Sequence, residues 1–273
     1  MKKLLVLLIF IIDISKVSPE TMSQEERLFS AVREGCVNEV KNLVNSGVKS
    51  DSKDKDGNSL FHLFALPIRY NIISSSMKFC DKYHFPPDEK ERLELLKYLL
   101  TLDLDLNAKN NYGNTPLHYI VGNYSLNTVK ISIQEGADPF AINDSGETIL
   151  HSATYGYQNE VISYLLKTGL NVNAVDDYKN TPLHNAARSK ISTLLLLIES
   201  GADVNAINSS GNTPLHYLVT DNLSYSERLE KFKLLVKYGA NIRLYNKERL
   251  TPYHLASWDF RKYIEKFYQT PVK

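Results

Sequence analysis

Apolar positions recur along this chain at helical spacing, in short paired bursts. From Glu25 the stretch Leu28-Phe29-Ser30-Ala31-Val32-Arg33-Glu34-Gly35 predicts an amphipathic helix. Val37, Val40, Leu43 and Val44 predict a second helix with one buried face. Gly47 is placed to end it as a left-handed cap, and Lys53-Asp54-Lys55-Asp56-Gly57-Asn58 reads as a turn closing on Asp-Gly. The unit is therefore helix, tight turn, helix, glycine stop and extended turn. Further second helices are predicted over Val129 to Gln134, Val161 to Lys167, Leu194 to Glu199 and Leu229 to Tyr238. Glycine stops recur at Gly136, Gly169, Gly201 and Gly239, and Asp103 takes that place in the second unit.

A motif keeps the register of these bursts. Gly113-Asn114-Thr115-Pro116-Leu117-His118 returns letter for letter at Gly211-Asn212-Thr213-Pro214-Leu215-His216, with a near copy at Asn180-Thr181-Pro182-Leu183-His184. Weaker copies end in His62, His151 and His254, so the histidine steps are 56, 33, 33, 32 and 38. A fixed period of this size means stacked repeats, none of which buries its apolar face alone. The step of 56 is 33 plus an insertion of 23, and that of 38 is 33 plus 5. The insertions fall between the two helices of a unit, one over residues 70–86 and a smaller one around Asp221 to Ser226. After the first, Pro87-Asp88-Glu89 is expected to start a helix.

The motif residues have structural roles. Threonine suits a helix N-cap, its hydroxyl accepting from an orphan N–H, and proline suits the first helical position. Leu117, Leu183 and Leu215 should pack inward, and the histidines should bond the backbone of the neighbouring turn. Lys179 and Arg249 replace the turn glycine, which costs on the order of 1 kcal/mol each if the backbone stays left-handed.

Thr-Pro-Leu-His in register, Ala186-Ala187, Leu165-Leu166 and Gly201-Ala202-Asp203-Val204-Asn205-Ala206 resemble the ankyrin-repeat family, from about Leu28 to about Tyr268 in seven units. The resemblance implies a mainly α ankyrin-repeat solenoid of about seven repeats occupying residues 21–273. It also implies a protein-binding scaffold that works through a concave face of turn tips and first helices. Placed on that pattern, turn tips include Asn111, Tyr112, Asp144, Ser145, Asp177, Tyr178, Ser209, Tyr245 and Asn246. First-helix positions after the histidine include Asn123, Tyr155, Arg188 and Thr220. Tyrosine and arginine anchor interfaces by bringing large area with a polar handle, so Tyr112, Asn123, Tyr155, Tyr178, Arg188 and Tyr245 are the candidate partner-binding residues. The end units carry the charges of caps: Glu25, Glu26 and Arg27, then Arg261, Lys262, Glu265 and Lys266.

Composition changes this picture little. With 32 Lys and Arg against 31 Asp and Glu, the chain has no field to attract nucleic acid or an anionic membrane. A monomer with another protein as partner is expected. Cys36 and Cys80 are read as two unpaired thiols, outside metal-ligand spacing. The histidines are taken up by stacking, and neither a phosphate loop nor a nucleophile elbow is present, so no catalytic, cofactor or metal residue is assigned and no enzyme is expected. The alternative is an enzyme or regulatory subunit with Cys80 and His84 of the insertion as its active pair.

Residues 1–20 are a signal peptide or a misassigned leader. Lys2-Lys3 before the nine apolar residues Leu4 to Ile12 looks like a secretory signal, too short for a membrane span of about 20 residues. Val17-Ser18-Pro19 is a poor cleavage site, and translation from Met22 would remove the segment. The first reading makes the protein secreted or exported, the second cytoplasmic. An Asn-, Lys-, Ile- and Tyr-rich chain with such a leader fits a host-directed protein of an intracellular bacterium, by family analogy.

Overall fold

The computed structural model describes residues 22–67, 88–156, 158–221 and 223–269. By internal packing the chain forms two compact units, residues 1–111 and 112–273. The first holds α1 (Gln24–Glu34), α2 (Val37–Asn45), α3 (Leu60–Ala65) and α4 (Glu89–Leu99). The second holds α5 (Pro116–Asn123), α6 (Leu126–Gln134), α7 (Ile149–Ala153), α8 (Asn159–Lys167), α9 (Pro182–Ala186), α10 (Ile191–Glu199), α11 (Pro214–Thr220), α12 (Tyr225–Lys237), α13 (Pro252–Leu255) and α14 (Trp258–Gln269). Seven helix pairs are thus described, two in one unit and five in the other. In the C-terminal unit each first helix packs on the next, α5 to α7 to α9 to α11 to α13, and the second helices α6, α8, α10 and α12 do likewise. No regular strand is present among the described residues, only an isolated bridge between Ile142 and Thr148.

Local chemistry explains where the helices begin. At α1 the Ser23 hydroxyl accepts from the Glu26 N–H at 3.1 Å while the Glu26 carboxylate accepts from the Ser23 N–H at 2.9 Å. Asp88 and Glu91 make the same reciprocal cap on α4, so Asp88 is the cap and the helix starts at Glu89. At the first helices the histidine takes the glutamate's part. Its Nδ1 accepts from the N–H of Thr115, Thr148, Thr181, Thr213 and Thr251 at 3.0 to 3.2 Å. This is a capping box with imidazole as the third-position acceptor. The threonine hydroxyl, expected to serve only the backbone, also meets that Nδ1 at 2.8 to 3.0 Å.

An Nδ1 that accepts from an N–H carries no proton, so the proton sits on Nε2 and points to the next repeat. His151 donates to the Asn180 carbonyl at 3.0 Å, His184 to Asn212 at 3.0 Å and His216 to Leu250 at 3.1 Å; His118 reaches Glu147 at a longer 3.4 Å. Each ring thus closes its own helix start and ties it to the following turn. Burial holds His151, His184 and His216 below the ordinary 6.5, the form this bonding requires. The unfolded chain takes up protons near pH 6.5 that the folded chain refuses. Their contribution is therefore complete above 6.5 and is lost as pH falls from there toward the lowered values.

Glu34, in the N-terminal unit, has the opposite sign. Burial raises it from 4.5 to about 7, against the pull of Arg33, so its contribution is present at low pH and lost as pH rises through about 7. On acidification from about pH 7.5 to about pH 5.5, amide-exchange protection in residues 112–269 should fall while that around α1 is spared. Unchanged or rising protection in the C-terminal unit would contradict this.

The glycine stops at 47, 136, 169, 201 and 239 are all left-handed, and Asp103 holds the same conformation at φ 48°. Lys179 and Arg249 also stay left-handed, at φ 59° and 60°, so the turns keep their form at the expected strain. Lys179→Gly should stabilise the C-terminal unit by about 1 kcal/mol, read as a higher urea midpoint; no gain would show that the turn relaxes elsewhere.

Two readings are corrected. The helix expected from Leu229 begins at Tyr225 and ends at Lys237, because Ser224 caps it by accepting from the Glu227 N–H at 3.3 Å. Part of the smaller insertion is therefore an extra helical turn. Arg228 on that turn donates to the Asp221 and Leu223 carbonyls at 2.7 and 3.2 Å, which holds the preceding loop. Second, Cys36 is not an unpaired thiol: it is disulfide-bonded, and no free cysteine occurs among the described residues. The one other cysteine of the sequence is Cys80. The 70–86 insertion, with Cys80 and His84, lies outside the described residues.

Candidate functional site

Between consecutive repeats of the C-terminal unit, the turns are stapled through their backbones. The N–H of Asp144, Asp177, Ser209 and Lys247 donates to the carbonyl of Tyr112, Ser145, Tyr178 and Ser210 respectively, at 2.7 to 3.1 Å. Buried beneath them, Asn143 donates to Asn114, Asn208 to Asn180, and Asn246 to Asn212, side chain to side chain at 2.8 to 2.9 Å. Asn246, expected at a turn tip, is thus one of the buried rungs and not a surface residue. At the turn between those rungs Glu147 stands where the flanking repeats have Asn114 and Asn180, and Asp176 binds its own Asn180 instead. The result is a series of rigid turns whose outward side chains are held at set positions.

Those side chains are large and exposed. Tyr112, Tyr178 and Tyr245 are 60%, 67% and 65% exposed, as expected of turn tips. Tyr155 follows α7, also largely exposed, with its hydroxyl donating to the Glu147 carboxylate at 3.4 Å. Desolvation and the neighbouring carboxylates of Glu147 and Asp176 push that phenol up to about 12, against Arg188, so it stays a donor at any ordinary pH. Arg188, just past α9, lies exposed with its guanidinium 4.6 Å from the Tyr217 ring. Asn123 ends α5, exposed, and its amide donates back to the Tyr119 carbonyl at 3.0 Å.

Sequence reasoning missed the most regular part of this face. Ile142, Val175 and Ile207 are exposed by more than half, and with Tyr245 they form a row at one register position. Each stands immediately before the buried Asn143, Asp176, Asn208 or Asn246. The signal was available as an apolar residue at the same offset from the motif in four successive units. Aliphatic side chains read singly default to the core, however. Beside the last of these turns a groove of about 390 Å³ is lined by Ser209, Ser210, Thr220, Lys247, Glu248 and Leu255.

No group of three or more His, Cys, Asp or Glu among the described residues is placed to hold a metal ion. No described helix is long and apolar enough to cross a membrane.

Comparison with known proteins agrees with this architecture. A family model described as ankyrin repeats (3 copies) matches residues 118–208, and one described as an ankyrin repeat matches residues 210–247. The solved structure of the human ASB11 ankyrin repeat domain is similar at 22% identity and a TM-score of 0.66, over 85% of this chain and 91% of that one. No curated protein sequence matches. Imidazole-closed helix starts, left-handed stops, stapled turns and family models in register all point one way, and the chain is an ankyrin-repeat protein.

Proposed function

We propose that this chain is an exported scaffold that captures a protein partner on the turn tips and first helices of its C-terminal unit. The observation that carries the reading is the exposed row Ile142, Val175, Ile207 and Tyr245, flanked by Tyr112, Tyr155, Tyr178 and Arg188. Stapled turns present it with little entropy left to lose, which favours binding. A row of aliphatic and aromatic side chains left in water marks an interaction surface. Ankyrin repeats serve as protein-interaction scaffolds, and this face offers apolar area and hydrogen bonding to a protein partner.

Export is supported by the leader pattern of Lys2-Lys3 and Leu4 to Ile12 together with the disulfide-bonded Cys36. Disulfides persist in oxidising compartments and are rare in a reducing cytosol. A host-directed bacterial role is the setting we favour, on composition and family analogy.

The intact chain, immobilised, should retain a discrete partner, and Tyr178→Ser combined with Ile207→Ser should weaken capture at least about tenfold without unfolding the chain. Undiminished capture by that variant would place the binding surface elsewhere. For export, a mature protein beginning at Met22 or Ser23 with a reduced Cys36 would overturn the reading.

A further inference from the structure

Arg188 lies exposed on this face with its guanidinium unengaged. It stacks over Tyr217, yet no acid or carbonyl among the described residues accepts from its guanidinium. The nearby carboxylates are already engaged. Asp176 accepts from the backbone and side chain of Asn180 at 2.7 and 2.9 Å, and Glu147 accepts from Asn143 and Tyr155.

The ring beneath Arg188 is fixed in turn. The Tyr217 hydroxyl donates to Asn180 at 2.8 Å and accepts from Asn208 at 3.0 Å, while its ring makes a T-shaped contact with His184 at 5.4 Å. Stacking on a fixed ring orients the planar fork, so little freedom remains to be lost when it binds. Asn208, which fixes the ring, directly follows Ile207, and Asn180 bonds Asp176, which directly follows Val175. The fork therefore belongs to the part of the face where two exposed aliphatic side chains stand.

We propose that Arg188 is the anchor for a carboxylate on the partner, which presents an Asp or Glu side chain flanked by apolar residues in an extended segment. The proposal rests on the binding-face reading above and adds the chemistry of what is bound. A guanidinium with free N–H groups matches a carboxylate two bonds at a time. Val175 and Ile207 supply the apolar contacts on either side.

The test is a phage-displayed library of random dodecapeptides panned on the intact chain. Retained clones should be enriched in Asp or Glu between apolar residues. They should lose at least about tenfold in affinity for Arg188→Ala and for Arg188→Lys, since an ammonium keeps the charge but not the planar fork. Panning on Arg188→Glu should select Lys or Arg in place of the acid. Matching thermal melts of the Lys variant and the parent would show that the fold is intact, because Arg188 is exposed.

Clones lost on Ile207→Ser but indifferent to Arg188→Ala would overturn the anchor and leave the face standing. Clones indifferent to both, or no clones at all, would overturn the face and the anchor together. Full binding by Arg188→Lys would overturn the oriented fork.

Discussion

Replacing Phe232 by alanine is expected to destabilise the C-terminal unit by about 3–5 kcal/mol. The side chain is fully buried on α12, with its ring 5.4 Å from Phe260 at 87° and 6.0 Å from Tyr263 at 86°. Both partners lie on α14, so this aromatic cluster docks the last helix onto the stack. Alanine would remove the apolar burial and both edge-to-face contacts, and the surrounding repeats are too regular to collapse into the space. Urea unfolding followed by fluorescence of Trp258 on α14 should show the midpoint falling sharply. Phe232→Leu, which keeps most of the volume, should cost much less. A loss below about 1 kcal/mol for alanine would mean that α14 contributes little to the unit.

The second large effect is expected at Gly156. A Cβ there would overlap the carbonyl oxygen of Gly122 and come within 2.5 Å of its Cα and 2.7 Å of its carbonyl carbon. Backbone cannot swing aside as a side chain can, so the repeats on either side would have to separate. Gly156→Ala should cost about 1–3 kcal/mol, and bulkier residues more. The α5 and α7 region should lose amide protection before the rest of the unit. Gly122→Ala is the control, since its nearest neighbour would be the Ser152 carbonyl oxygen at an ordinary 3.7 Å. Equal tolerance of both substitutions would refute the close approach.

These sites differ in how far they could be read without the structure. The first-helix starts were legible because capping is local. The histidines' tie to the neighbouring turn was legible from their recurrence, but their closing of the helix start through Nδ1 was not. Threonine and histidine three residues apart meet within a single turn of backbone, whatever lies beyond. The positive φ at Lys179, Arg249 and Asp103 was legible for the same reason, through comparison of one repeat with another. The start of α12 was misplaced because Ser224 offers a cap inside a stretch whose pattern looked like a loop.

The candidate face was half legible. Tyrosines at turn tips stand out by type, whereas Ile142, Val175 and Ile207 were not singled out from the sequence. The stacking of Arg188 on Tyr217 joins consecutive repeats, as does the contact of Gly156 with Gly122. Neither follows from any one unit.

The sequence by itself determined the repeat, its period and the family, which recurrence along the chain displays. It also determined most of the helix ends, which depend on groups within a few residues of one another. Only the tertiary structure decided which apolar side chains stay in water and that the Arg188 guanidinium, stacked on Tyr217, is left without an acceptor among the described residues. It also decided where two backbones touch. Those outcomes depend on what the neighbouring repeat places opposite each residue, and residues about 33 positions apart come together only when the stack is built.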